Sequence, residues 1–260
     1  MKNNSNQPIG IFDSGIGGTS IWKEINLLLP NEETIYLSDS KNAPYGQRSK
    51  EEIIDLCIKN TEFLLARDCK IIVVACNTAT TNSIKYLREN YNVPFIGIEP
   101  AIKPASLKTK TNTIGILATK GTLNSKLFEK TSSKIDNTIT IIEQVGEGLV
   151  ELIENGKIDS SEMTSLLNKY LKPMLQKKID CLVLGCTHYP YLIPQIEKII
   201  GKDILIIDSG EAVAKQTKTI LERDNLLNFN RKLKTHTFYI NKKSDVLKTI
   251  LKIMIKLKRR

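Results

Sequence analysis

Two of the five cysteines stand where an apolar run stops. Cys76 closes "KIIVVAC" and is followed by Asn77 and Thr78; Cys186 closes "CLVLGC" and is followed by Thr187 and His188. A buried cysteine is ordinarily a small hydrophobe, which is the reading for Cys57 inside a helical pattern and for Cys69 and Cys181 at strand starts. A thiol at the last position of a strand, with polar side chains directly after it, is instead placed for chemistry. An unperturbed thiol titrates at about 8.5, so a working thiolate at neutral pH needs a helix N-terminus or a cation beside it. Helices expected after both strands supply the first, and His188, two positions past Cys186, the second. Asp13, in the "FDSG" turn, is a matching proton acceptor for Cys76. Two opposed thiols suit one reaction type. A thiolate removes a proton bound to carbon, a thiol on the opposite face returns one, and the stereocentre inverts.

Competing chemistries fit less well. Structural zinc requires tight cysteine pairs, but the closest spacings are Cys69 to Cys76 and Cys181 to Cys186, with two histidines in the chain. No metal site is expected. The run "SGIGG" (14–18) follows a strand and precedes a helix, yet no lysine completes a phosphate loop and Ser20 replaces the third glycine of a dinucleotide fingerprint. Its backbone amides suit a carboxylate.

The elements that must position these groups are legible in the pattern. The 260 residues, 41% hydrophobic, suffice for two compact domains. Short apolar runs at 9–12, 34–38, 70–75, 94–98, 113–118, 140–145, 181–185, 203–208 and 235–240 read as strands. Amphipathic stretches between them, such as 19–29, 49–67, 147–155, 160–176 and 211–224, read as helices. This alternation predicts an α/β protein with mostly parallel sheets. An internal echo divides it: "IGIFDSGIGGTS" (9–20) resembles "IGILATKGTLNS" (114–125), and each copy leads about 70 residues later to a strand ending in cysteine. Two similar domains facing across a cleft are therefore expected. Ligands of open parallel sheets bind beyond the carboxyl ends of the strands, where "DSG", "CNT" and "CTH" all fall.

The net charge of +10 is not spread over the chain. Residues 231–260 carry 11 Lys or Arg against one acid, leaving 27 of each sign in 1–230. Within this tail, Ser244 is a candidate N-cap for a helix packing Val246, Leu247, Ile250, Leu251, Met254 and Leu257 on one face. The lysines then form a solvated face, and nucleic-acid or membrane binding is not expected. With no apolar run of about 18 residues and no signal pattern, a cytoplasmic location is expected.

Six segments together resemble the cofactor-independent glutamate racemases of bacterial cell-wall synthesis. They are "IGIFDSGIGG" (9–18), "SDSKNAPYGQRS" (38–49), "VVACNTAT" (73–80), "ILATKGT" (116–122), "VLGCTHYP" (183–190) and "IIDSGEAVA" (206–214). The resemblance implies that Cys76 and Cys186 are the proton donor/acceptors of a glutamate racemase making D-glutamate for peptidoglycan, with no cofactor. It implies that Asp13, Ser14, Tyr45, Gly46, Asn77, Thr78, Thr187 and His188 bind the amino acid, and that Glu154 lies near the second cysteine. Where many members read approximately Cys-Pro-x-Phe-Val-Pro ahead of that glutamate, this chain has "QVGEGLVE". The family fold implies a first domain of 1–98 plus 211–260, an inserted domain of 99–210, and a homodimer. An aspartate racemase, an amino-acid-binding regulatory module and a thiol-disulfide oxidoreductase are the rival readings.

Overall fold

Every apolar run expected as a strand forms one, and every strand pairing is parallel. The computed structural model describes residues 4–230, 234–242 and 245–258. In chain order the first part comprises β1 (Ile9–Asp13), α1 (Thr19–Leu28), β2 (Thr34–Ser38), α2 (Lys50–Leu65), β3 (Ile71–Val74), α3 (Asn77–Asn90) and β4 (Phe95–Gly97). The middle comprises α4 (Ile102–Lys108), β5 (Thr113–Ala118), α5 (Lys120–Leu123), α6 (Lys126–Ser132), β6 (Thr140–Val145), α7 (Leu149–Glu154), α8 (Ser161–Gln176), β7 (Cys181–Gly185), α9 (Ile193–Ile200) and β8 (Leu205–Ile207). Last come α10 (Gly210–Arg223), β9 (His236–Ile240) and α11 (Val246–Lys258).

The strands form two sheets, ordered β4-β3-β1-β2-β9 and β6-β5-β7-β8. Read from the other edge, the second is β8-β7-β5-β6, which repeats the first four strands of the first sheet position for position. The sequence echo is therefore an echo of topology: β1 corresponds to β5 and β3 to β7. In each sheet the chain turns back between these two strands, so each has its switch point there. Register brings the carboxyl ends level, with Phe12 beside Val74 and Ala118 beside Gly185.

Burial explains why the runs are so apolar. Strands β1, β3, β5 and β7 are covered on both faces, by clusters that include Ile11, Val73 and Trp22 on one side of the first sheet and Phe12, Ile72 and Leu64 on the other. The second sheet is sandwiched between Leu182, Leu184 and Met163 on one face and Ile116, Val183 and Phe128 on the other. At about 25 cal/mol per Å² of apolar surface, such doubly covered strands supply most of the driving force for each half. Lys70 and Glu32 make a 2.6 Å ion pair at the amino ends of the first sheet, and Lys70 also donates to Ser5 and Leu226 carbonyls.

Some boundaries shift for identifiable reasons. The helix expected over 147–155 begins at Leu149 because Gly148 adopts φ +81°, outside the helical region. The strand expected over 203–208 is reduced to three residues at an exposed sheet edge. In α11, Leu247 and Ile250 are buried against the second-sheet core, with Val246 and Leu251 partly buried. Ser244 and the side chains of Met254 and Leu257 lie outside the described residues.

Candidate active site

Both strand-end thiols line one narrow pocket between the two sheets, with a free volume of about 10 Å³. Its walls include Ser14, Tyr45, Gly46, Asn77, Thr78, Thr187 and His188, together with Thr119 and Val150. Ser14 and Thr119 occupy matching places after β1 and β5, and Cys76 and Cys186 after β3 and β7. The cavity thus has two related halves.

On the first side, Cys76 is the N-cap of α3, and its sulfur accepts the Ala79 amide at 3.4 Å. The thiol in turn lies 3.5 Å from Ser14 Oγ. Burial and the nearby Asp13 charge push this thiol up, against the opposing pull of the Ser14 and Ala79 bonds. Asp13 itself is fully buried and held behind the wall. Its carboxylate accepts Gly15 N at 2.9 Å and Thr187 Oγ1 at 3.1 Å, and burial pushes it up to about 6. A carboxyl poised there can exchange protons near neutrality.

On the second side, Cys186 Sγ lies 3.8 Å from His188 Nδ1, while His188 Nε2 lies 2.6 Å from Glu154 Oε1. Burial disfavours charge on both members of this pair. It is outweighed on His188 by Cys186 and Glu154, so the imidazole is raised well above its ordinary value. It is outweighed on Glu154 by His188, Ile16 N and Ser40, so the carboxyl is lowered. An ionised Glu154 accepts only, so Nε2 carries a proton towards it. The Gly17 amide, 3.2 Å from the same nitrogen, is then a close neighbour and not its donor. Nδ1 faces the sulfur and can hold or release the proton they share.

The glycine-rich loop does bind a carboxylate, but one that the protein supplies. Ile16 N donates to Glu154 Oε1 at 2.6 Å. A Cβ on Gly15 would collide with Glu154, and one on Gly17 with the His188 ring. The glycines are thus required by close packing at the cleft, which is why the run mimics a nucleotide loop without being one.

Tyr45 reaches the cavity through its ring. Its hydroxyl is engaged by Asp39 and, at 3.1 Å, by Asn60 Nδ2, so it is turned away from the cavity. Asn77 behaves oppositely: both polar atoms of its buried amide lack a partner among the described residues. Leaving such a group unpaired costs about 1–3 kcal/mol, so this amide can receive a polar ligand. Beside it, Thr78 Oγ1 lies 2.8 Å from Thr119 Oγ1, and Thr119 Oγ1 lies 3.0 Å from Thr122 Oγ1. This hydroxyl cluster joins the two halves. Thr119 was detectable through its alignment with Ser14 in the internal repeat; Ser40 on Glu154 carried no such signal.

Paired α/β sheets of repeated topology, closing on two strand-end thiols and a buried polar wall, define a two-domain racemase. The chain belongs to the Asp/Glu/hydantoin racemase family, whose model matches residues 9–217. It is 44% identical over 222 residues to a glutamate racemase of Herpetosiphon aurantiacus, covering 85% of this chain and 87% of that one. To a glutamate racemase of Cupriavidus pinatubonensis it is 43% identical, covering 86% and 83%. Among solved structures it superposes on a glutamate racemase isoform from Bacillus anthracis with TM-score 0.87 at 34% identity, covering 97% and 95%. The Francisella tularensis glutamate racemase in complex with D-glutamate gives TM-score 0.83 at 30% identity, covering 97% and 94%.

Proposed function

We propose that this chain is a glutamate racemase that moves the α-proton between Cys76 and Cys186. The observation that carries the reading is the placement of both thiols at equivalent strand ends on one cavity. With the substrate Cα between the sulfurs, the thiolate on one face breaks the Cα–H bond and takes the proton. The electron pair is delocalised into the α-carboxylate, and the opposite thiol gives its proton to the other face. Reversal exchanges the two roles, so a near-symmetrical site serves a near-symmetrical reaction.

Each thiol has its own partner for the proton it must lose before attack. Cys186 passes it to His188, whose cation is backed by Glu154; Cys76 passes it towards Asp13, whose raised proton affinity suits the task. The carbanion is stabilised by hydrogen bonds to the carboxylate and by exclusion of water. Asn77, Ser14, Thr78 and Thr119 line the cavity as donors for the two carboxylates, while the Thr187 hydroxyl is held by Asp13. The sequence kinship supports glutamate as the substrate, D-glutamate for peptidoglycan as the product's use, and a cytoplasmic homodimer.

Incubation of the purified chain with L- or D-glutamate in heavy water tests the reading. Both enantiomers should racemise and acquire α-deuterium, aspartate should react much more slowly, and Cys76→Ser or Cys186→Ser should abolish interconversion. No racemisation and no exchange would overturn it. Sedimentation checks the dimer.

A further inference from the structure

Glu154 belongs to the second half of the molecule, yet two of its three donors come from the first. Ile16 N reaches Oε1 at 2.6 Å, and Ser40 Oγ reaches Oε2 at 2.8 Å; His188 is the third. Ile16 contributes a backbone amide that any residue could supply. Ser40 contributes a side chain, and it follows β2 while Glu154 ends α7, so this bond forms only when the halves meet.

Donor direction along this path is fixed by hydrogen counting. Ser38 Oγ lies 2.9 Å from Ser40 Oγ. Each hydroxyl has one hydrogen, and an ionised carboxylate can only accept. Ser40 therefore donates to Glu154, and Ser38 donates to Ser40. The two serines and Glu154 are buried, so water does not replace a donor that is removed. The other ionisable groups facing the His188–Glu154 pair are Asp13 from β1, Tyr36 from β2 and Cys186 after β7. The Ser40 hydroxyl bonds to none of these; among the described residues its partners are Ser38 and Glu154.

We propose that Ser40 is a positioning residue for the acid–base pair: its hydroxyl keeps the Glu154 carboxylate ionised and aligned on His188, and thereby governs the proton that His188 exchanges with Cys186. The inference rests on the racemase reading above. It adds that one half of the molecule completes the acid–base machinery of the other.

The test exploits the presence of two histidines, His188 and His236. The imidazole resonances are followed by NMR against pH in the substrate-free chain, with His188→Asn used for assignment. In Ser40→Ala the His188 midpoint should fall by about one pH unit, the tenfold change expected for loss of a bond to a charged group. Its kcat for glutamate should drop about tenfold with KM nearly unchanged, and the acid limb of the pH–rate profile should move to higher pH. Ser40→Thr, which keeps the hydroxyl, should restore both midpoint and limb. A folded Ser40→Ala whose titration superimposes on the wild type's overturns the inference. Should Ser40→Ala fail to fold, Ser38→Ala, which removes the upstream donor, must shift the same midpoint downward, and an unmoved midpoint again overturns it. The titration needs no turnover, so a wild-type chain that fails to exchange the α-proton of glutamate would sink the racemase reading separately.

Discussion

His188 Nε2 sits 2.6 Å from Glu154 Oε1, with both side chains buried and the ring's other nitrogen turned to Cys186. The two groups stabilise each other's charge, and this has consequences for both rate and folding. Glu154→Gln preserves shape and removes the charge, so kcat should fall between about tenfold and a hundredfold, the value of a hydrogen bond between charged groups. The stability contribution has a pH window. Glu154 is lowered from 4.5, so its share is present above that pH and is lost as acid titrates the folded carboxyl. His188 is raised from 6.5, so its share is complete below that pH and is lost as pH rises through the elevated folded value. Thermal melts of wild type and Glu154→Gln should therefore differ most between pH 4.5 and 6.5 and converge on either side.

Asp13 carries the opposite sign. Its carboxyl is raised from 3.8 to about 6 by burial, so ionising it weakens the fold as pH rises across that interval. Asp13→Asn should stabilise the chain at pH 7.5, by up to about 3 kcal/mol at order of magnitude, and have little effect near pH 4. Activity should fall in the same variant, because Cys76 loses its proton acceptor. Urea unfolding at the two pH values, paired with racemisation rates, checks the trade-off. Equal stability changes at both would exclude this role for burial.

Gly17 is packed against the His188 ring so closely that a methyl group cannot be added without moving it. Displacement of a proton-transfer group by about 1 Å costs roughly a hundredfold in rate. Gly17→Ala should lose activity on that scale while far-UV circular dichroism stays native, since the loop lies at the cleft and not in a sheet. Full activity in a folded Gly17→Ala would show that the ring tolerates another position.

Thr119 lines the same cavity as Ser14 and shares a 2.8 Å contact with Thr78. Thr119→Ala removes one hydroxyl donor while leaving both thiols untouched. We expect KM for glutamate to rise roughly tenfold, as one hydrogen bond to a carboxylate is lost. The kcat should change much less. Steady-state kinetics with both enantiomers decides between this and a purely structural contact between the halves, which would lower the melting temperature without affecting KM.

Much of this arrangement was readable from the chain itself. Strand-end cysteines stood out because Ile71–Val74 and Cys181–Gly185 are unbroken apolar runs, and burial on both faces of a parallel strand demands such runs. The glycine loop was visible as a loop, but its purpose was not. What fills the space above Gly15 and Gly17 is Glu154 and His188, more than 130 residues away in sequence. The family resemblance names Tyr45 as a binding residue, and only its neighbours Asp39 and Asn60 explain why the hydroxyl faces away.

By itself the sequence determined the alternation of strands and helices, the internal repeat, and the positions at which reactive side chains leave the strands. These follow from local pattern, because hydrophobic periodicity and the carboxyl-end rule act over a few residues at a time. Tertiary structure alone decided which groups meet across the cleft: Ser40 and Ile16 on Glu154, Thr187 on Asp13, and Thr119 on Thr78. Buried polar atoms must find partners, and those partners are set by how two sheets close on each other, a relation that no local pattern encodes.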